Sequence, residues 1–190
     1  MERIGIYGGT FDPPHLGHLR AAQAAIDGLQ LDRLLLLPAS CSPGKTAPQT
    51  PDDHRLEMLR LAAGDKMEVC DLELQRGGVS YTVDTLKQLH AMYPDAKLHL
   101  CLGSDAFLNL DSWKDPEGIL ALAELCVFCR GGKTEALKVS LRGAGNGNCR
   151  TSGAGRRYDC GCDFCLDEGA ACKALRGRER AFAEASGGVT

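Results

Sequence analysis

The chain has 190 residues, of which 44% are hydrophobic and 25% charged, and its formal net charge is −3. This composition is typical of a globular domain and argues against a nonspecific nucleic-acid binder, which generally carries a basic surplus. Apolar runs such as Leu34–Leu37 are far too short to cross a bilayer. Met1–Arg3 leads directly into a strand-like segment rather than a signal peptide. We therefore expect a cytoplasmic protein that binds neither nucleic acid nor membrane.

Strand-like and helix-like segments alternate along residues 1–132. The predicted strands are Arg3–Tyr7, Arg33–Leu37, Met67–Asp71, Lys97–Leu102 and Leu125–Cys129, and the predicted helices are Leu16–Leu29, His54–Ala63, Val83–Met92 and Ile119–Ala123. Asp52 or Asp53 is the expected cap of the second helix, and Thr82 that of the third. This alternation predicts a parallel α/β sheet with right-handed crossovers, in which ligands lie outside the carboxyl ends of the strands.

The first strand-to-helix junction concentrates residues suited to phosphate binding. Gly8 and Gly9 allow a tight turn and close approach of a ligand, and Pro13–Pro14 stiffen the loop that follows. His15 and His18 are three residues apart, so they share one face of the first helical turn. A helix N-terminus offers unpaired N–H groups and partial positive charge, to which imidazoles add donors. The pattern favours a phosphate site over a simple turn capped by two histidines.

The segment Gly8–His18 resembles the signature of the nucleotidyltransferase superfamily, and within it that of the bacterial nicotinate mononucleotide adenylyltransferase family. Three further segments follow in the family's order. Ser80–Leu86 resembles its pyridine-nucleotide segment, Gly103–Ala106 its strand-end Gly-x-Asp element, and Leu110–Lys114 its nicotinate-stacking loop. The resemblance covers residues 3 to about 132 and implies a Rossmann-like nucleotidyltransferase fold, a parallel sheet with helices on both faces.

The resemblance implies adenylyl transfer from ATP to nicotinate mononucleotide, which gives deamido-NAD and pyrophosphate in NAD biosynthesis. The attacking phosphate is already ionised, so catalysis needs in-line positioning and neutralisation of charge on the triphosphate. Mg²⁺ would be held mainly by the ATP phosphates, without a metal site on the protein. ATP and nicotinate mononucleotide are the expected partners. The oligomeric state is open, and an oligomer is compatible with the sequence. The catalytic residues that the resemblance implies are His15, His18 and Lys45.

The same resemblance implies two binding subsites. Nicotinate mononucleotide is expected to contact Lys45, Thr82, Thr85 and Trp113. ATP is expected to contact Gly8, Gly9, Thr10, Phe11, His15, His18, Gly103 and Asp105. Each assignment has a structural alternative: Trp113 can stack on a pyridine ring or anchor a loop, and Thr82–Thr85 can hold a carboxylate or simply cap a helix. Lys45 matches the family pattern only in part, so a solvated lysine is its alternative, and Arg55 is expected to be structural.

Residues 133–190 differ in composition from the rest of the chain. Residues 1–132 contain 31 Val, Ile or Leu, whereas residues 133–190 contain 6, so this segment has little to bury. The family's late element for the β- and γ-phosphates of ATP, approximately Ile-Ser-Ser-Thr-x-Ile-Arg, has no counterpart there. We therefore predict a nucleotidyltransferase domain over residues 1–132 and an atypical, poorly ordered segment over residues 133–190.

Three interpretations of this segment are open. In the first, zinc is bound by the four thiolates of Cys160, Cys162, Cys165 and Cys172, although the spacing of these cysteines matches no zinc pattern. A shifted reading frame would explain the excess of Cys, Gly and Arg, because Asp163–Glu168 in GC-rich codons becomes Ser/Thr-rich when read one base later. Genuine divergence of the segment is the third interpretation.

Two alternative functions of the protein are also open. One is another nucleotidyltransferase, such as pantetheine-phosphate adenylyltransferase, which shares the first signature. The other is a catalytically impaired nucleotide-binding protein.

Overall fold

The computed structural model describes residues 1–128 and the backbone of residues 136–139. The strands are β1 Arg3–Gly9, β2 Arg33–Pro38, β3 Met67–Val69, β4 Lys97–Gly103, β5 Glu124–Phe128 and β6 Ala136–Val139. The helices are α1 Leu16–Leu29, α2 Asp52–Ala62, α3 Leu72–Arg76, α4 Thr82–Met92, α5 Ser104–Leu108 and α6 Pro116–Leu122, with a 3₁₀ turn at Leu110–Ser112. Within the described part of the chain, none of these helices has the length and apolar character needed to cross a membrane.

The strands form one sheet in the order β3-β2-β1-β4-β5-β6. Strands β1 to β5 run parallel, with Ile6 of β1 opposite Leu35 of β2 on one side and Leu100 of β4 on the other. Strand β6 pairs with β5 in the antiparallel sense. Since β2 and β3 lie on one side of β1 while β4 and β5 lie on the other, the strand order reverses between β1 and β4. Ligands bind at such switch points, and the predicted parallel α/β sheet is confirmed.

Helices cover both faces of the sheet, as predicted. Alternate residues of β2 point to opposite faces: Leu35 and Leu37 join the core beneath α4, and Leu34 and Leu36 join the core beneath α1 and α2. All four side chains are buried. A strand buried on both faces needs a continuous apolar sequence rather than an alternating one, which explains the run Leu34–Leu37.

The helix termini differ slightly from the sequence prediction. Helix α1 has the predicted bounds, but Pro51 rather than an aspartate precedes α2, and Asp52 and Asp53 occupy its first turn. Tyr81, not Thr82, is the N-cap residue of α4. The two predicted caps are therefore wrong. Asp52 and Asp53 instead lie in the first turn of α2, where their negative charge suits the positive end of the helix dipole.

Helices α3 and α5, the 3₁₀ turn at Leu110–Ser112 and strand β6 were not predicted. Helix α3 has five residues, too few to show a helical period in the sequence. Strand β6 falls within the segment expected to be irregular and extends the sheet past residue 132. The rest of residues 133–190, including the four cysteines of the zinc interpretation, lies outside the described residues.

Candidate active site

The glycine-rich turn lies at the switch point of the sheet. Tyr7 of β1 pairs with Cys101 of β4, so Gly9 and Gly103 leave the sheet side by side at its carboxyl edge. Helix α1 starts after the first of these glycines and α5 directly after the second. The structure therefore brings together the two segments predicted to bind ATP, the turn from Gly8 onward and the Gly103–Asp105 element.

Phe11 shapes the turn from the core. Its backbone is left-handed, with φ of 48°, and its ring is only 1% exposed. The ring meets Tyr7 edge-on at a centroid distance of 5.8 Å and His18 at 5.0 Å. A Cβ on Gly9 would lie 3.2 Å from the Phe11 ring, closer than an ordinary van der Waals contact, so glycine suits the close approach of the chain to this ring. The side chain of Phe11 supports His18, and only its backbone is placed to meet a ligand.

His15 and His18 form a stacked pair at the N-terminus of α1. Their ring centroids are 3.7 Å apart and the rings are inclined by 22°. The backbone N–H of His15 donates to Nδ1 of His18 over 3.2 Å. An imidazole nitrogen that accepts a hydrogen bond carries no proton, so neutral His18 carries its proton on Nε2. The helix start thus fixes both the orientation and the tautomer of His18.

A cleft separates the turn from the loop that carries Lys45. It encloses about 690 Å³, and its walls are Thr10, Asp12, Pro13 and residues 45–50. Oδ2 of Asp12 accepts the backbone N–H groups of Gln49 at 2.8 Å and Thr50 at 3.3 Å. A hydrogen bond from the Thr50 side chain is the main cause of the lowered pKa of the Asp12 carboxyl. Thr10 and Lys45, predicted to contact different substrates, therefore line a single cleft.

Arg55 joins the carboxyl ends of β1 and β2. Its side chain is completely buried, and Nη1 donates to the carbonyl oxygens of Thr10 at 2.7 Å and Ala39 at 2.8 Å. Nη2 forms an ion pair with Asp52. Both Nη atoms are thus committed to backbone and side-chain partners within the protein, which supports the structural interpretation of this residue.

We expect Arg55→Met to lower the free energy of unfolding by about 2–4 kcal/mol. The substitution removes the shared donor of two carbonyl groups, and each such buried loss costs about 1–3 kcal/mol. Urea denaturation measures the change. The matched control is Arg60→Met on the same helix, because Arg60 is exposed and its nearest carboxylate, on Glu57, is 4.0 Å away. Equal losses in the two variants would contradict the structural role of Arg55.

The start of α4 lies at the second group of predicted site residues. The N–H groups of Asp84 and Thr85 donate to the Tyr81 carbonyl at 3.1 and 3.2 Å. The N–H groups of Thr82 and Val83 precede these bonds and have no acceptor within the helix. Since Val83 is fully buried, the accessible donor suited to a carboxylate lies at Thr82.

The hydroxyl of Thr85 points into the protein. It donates to Oε1 of buried Glu73 over 2.7 Å and accepts from Nη2 of Arg76 at 2.9 Å. These bonds tie α4 to α3. Thr85 thus supports the helix start from below, whereas Thr82 stands at its outer end.

The Trp113 loop is fastened to the same helix start by its neighbour Lys114. The Nζ atom of Lys114 donates to Oδ2 of Asp84 over 2.8 Å and lies 4.7 Å from the centroid of the Tyr81 ring. This bond lowers the pKa of the Asp84 carboxyl. Trp113 itself is partly buried against the core beneath α4. The structure thereby places Thr82 and Trp113, predicted for one subsite, on adjoining segments.

Sequence reasoning did not identify Asp12 and Lys114 as members of the site. Asp12 lies inside the first signature and Lys114 follows Trp113, so proximity to known motifs was an available signal. Their partners are 37 and 30 residues away in the chain, respectively, and no local pattern reveals such pairs.

The chain has extensive similarity to known nucleotidyltransferases. The cytidylyltransferase-like family model matches residues 6–144. A protein of Gemmatimonas aurantiaca named "Probable nicotinate-nucleotide adenylyltransferase" is 44% identical over 130 residues, which are 67% of this chain and 62% of that protein. A relative of the same name from Albidiferax ferrireducens is 44% identical over 138 residues, 72% of this chain and 70% of that protein. The chain thus spans about 62% of the length of the Gemmatimonas relative.

Solved structures share the fold. Plasmodium falciparum nicotinic acid mononucleotide adenylyltransferase complexed with APC aligns with a TM-score of 0.60 and 23% identity, over 70% of this chain and 66% of that one. The complex of the same protein with NaAD aligns with a TM-score of 0.58 and 24% identity, over the same shares. The family model covers most of the chain and the first signature lies where this fold binds ligands, so the chain belongs to the cytidylyltransferase-like family.

Proposed function

We propose that the protein transfers the adenylyl group of ATP to nicotinate mononucleotide, forming deamido-NAD and releasing pyrophosphate. The observation that carries this proposal is the His15–His18 pair, held in one tautomer at the N-terminus of α1 and beside the β1–β4 switch point. The names of the relatives from Gemmatimonas aurantiaca and Albidiferax ferrireducens support the choice of nucleotide acceptor.

The proposed reaction is an in-line displacement at the α-phosphorus of ATP. An oxygen of the mononucleotide phosphate forms a bond to this phosphorus, while the bond from the phosphorus to the bridging oxygen breaks. Pyrophosphate leaves with the electron pair. The attacking oxygen is already ionised, so no general base is needed. The Nε2–H of His18 and the first N–H groups of α1 are the donors that stabilise the negative charge on the transferring group, with His15 beside them.

ATP in this proposal lies across the switch point. Gly8, Gly9 and Thr10 approach the phosphates through their backbone, together with the backbone of Phe11. Gly103 and Asp105 receive the nucleoside on the β4 side, where a carboxylate can accept ribose hydroxyls. Among the residues that the structure describes, no group of three or more His, Cys, Asp or Glu side chains could hold a metal. We propose that Mg²⁺ enters bound to the ATP phosphates, because this ion dehydrates reluctantly and is commonly held through substrate phosphates.

Nicotinate mononucleotide is proposed to bind with its phosphate toward the cleft and its pyridine ring toward α4. Lys45 stands on the cleft wall opposite Thr10 and is exposed, so its ammonium can reach a phosphate. The N–H of Thr82 receives the carboxylate, Thr85 holds the helix start in place, and the indole of Trp113 covers the ring.

We expect Trp113→Ala to weaken binding of nicotinate mononucleotide about tenfold or more and to leave ATP binding unchanged. Aromatic stacking on a base is worth about 1–3 kcal/mol, and a pyridine ring offers the same kind of face. Calorimetric titration with each ligand measures the two affinities. Equal weakening of both ligands would show that Trp113 only supports the fold.

A substrate panel tests the proposal directly. Pyrophosphate release is measured with ATP and, in turn, nicotinate mononucleotide and pantetheine phosphate. Turnover with the first acceptor alone supports the proposal, and turnover with the second would assign the protein to the alternative transferase. Binding of ATP without turnover on either acceptor would identify an impaired nucleotide-binding protein.

A further inference from the structure

The Asp12 carboxylate joins two segments that are distant in the sequence. Asp12 belongs to the phosphate-binding turn. The N–H groups that donate to its carboxylate, those of Gln49 and Thr50, belong to the loop that begins at Lys45. The Thr50 side chain beside this carboxyl contributes to holding its pKa below the usual value. A carboxylate that accepts several bonds from one loop fixes that loop more firmly than a single neutral bond does.

A second residue, Arg55, holds both ends of the segment that carries Lys45. Arg55 binds the carbonyl of Ala39, just after β2, and pairs with Asp52 at the start of α2. The same guanidinium binds the carbonyl of Thr10 in the turn. Arg55 therefore sets where the segment leaves and re-enters the fold, and Asp12 holds its later part against the turn.

Lys45 itself depends on this arrangement for its position. Its side chain is exposed, and its backbone N–H donates to the Ser42 carbonyl at 3.1 Å within a turn that contains Gly44 at φ of 70°. Such a turn sets the local shape but not the distance across the cleft. On its earlier side the loop is held at Cys41, whose carbonyl oxygen accepts the N–H of Ser80 at 2.8 Å. On its later side, toward the turn, it is held where Gln49 and Thr50 meet Asp12.

We propose that Asp12 is a positioning residue that holds the Lys45 loop against the phosphate-binding turn, so that Lys45 is presented to the phosphate bound between them. This inference rests on the proposed function for the identity of that phosphate. The attachment of the loop to the turn does not depend on the proposed function and can be measured without any substrate.

The kinetic test is a double-mutant cycle. Asp12→Ala is expected to lower kcat/KM for nicotinate mononucleotide about tenfold, and Asp12→Asn, which keeps an acceptor oxygen, is expected to recover part of the loss. In a Lys45→Ala background, Asp12→Ala is expected to cause no further loss, because it acts through Lys45. Losses that simply add would overturn the proposal.

Trypsin cleavage after Lys45 provides a readout that needs no activity. Asp12→Ala is expected to speed this cleavage at least several-fold, since the loop is released from the turn. Unchanged cleavage would overturn the proposal even if activity falls. If the wild-type chain shows no turnover, the proposed function fails, while the protection of Lys45 still decides the role of Asp12.

Asp32→Ala is the matched control for both tests. Oδ2 of Asp32 also accepts a backbone N–H from a distant segment, that of Arg3 at 2.7 Å, but at the opposite end of β1 from the cleft. We expect this variant to leave cleavage at Lys45 and kcat/KM unchanged. Effects as large as those of Asp12→Ala would show that any lost carboxylate contact of this kind loosens the fold, and would overturn the proposal.

Discussion

Replacing His18 with alanine is expected to lower kcat about 100-fold while the KM for nicotinate mononucleotide changes little. The Nε2–H of His18 is directed by the bond that Nδ1 accepts from the His15 backbone, so the donor is in place before the reaction. A preorganised donor of this kind is worth about 3 kcal/mol, and each 1.36 kcal/mol corresponds to about tenfold in rate. Because the charge develops in the transition state, the loss falls on kcat.

Steady-state kinetics of His18→Ala and His90→Ala check this expectation. His90 is an exposed histidine in the last turn of α4, far along the helix from its start, and its removal should leave kcat unchanged. Since the His18 ring also packs against Phe11, the thermal transition of each variant is measured in parallel. An undiminished kcat in a folded His18→Ala protein would remove His18 from the catalytic role.

The chain as it stands is expected to turn over orders of magnitude more slowly than a version whose residues after Gly132 are read one base later. The transition state needs the triphosphate held at both ends, and residues 133–190 contain no counterpart of the late element for the β- and γ-phosphates. Each charge-assisted phosphate contact is worth about 1.5–3 kcal/mol, so the loss of several multiplies into a large fall in rate.

The comparison uses pyrophosphate release by the two proteins at equal concentration, after the coding DNA beyond Gly132 has been sequenced. A third protein carries the re-read segment with alanine in place of each Ser and Thr of its phosphate element, and should be as slow as the present chain. If the present chain matches the re-read one in turnover, both the frame-shift interpretation and the need for the late element fail.

The elements best predicted from sequence are those whose burial leaves a regular pattern. Helix α1 was predicted with its observed bounds because Ala22, Ile26 and Leu29 recur on one face and are buried there. Strand β2 was recognisable because both of its faces are covered. Helix α3 gave no comparable signal, because it has only five residues. It is attached to α4 through its buried carboxylate, on Glu73, which accepts a hydrogen bond from the hydroxyl of Thr85.

The site was predictable as a set of segments but not as a set of contacts. The signature Gly8–His18 indicated where phosphate would bind, and the parallel topology indicated which strand ends would meet. Phe11 lies inside the core, and Asp12 reaches Gln49 across the cleft. Both features follow from the conformations of loops that contact residues far away in the sequence. Short-range periodicity carries no information about such loops, whereas the chain's tertiary packing determines them.

The position of β1 in the middle of the sheet has a consequence for synthesis. Strand β4, which covers one edge of β1, ends at Gly103, 94 residues after Gly9. At about 5–20 residues per second, this partner leaves the ribosome roughly 5–20 s later than β1 does. During that interval the nascent sheet of β1, β2 and β3 presents the backbone of β1 as an open edge, to which another chain can pair. The strand order that places the switch point beside β1 thus also exposes the half-synthesised chain to aggregation.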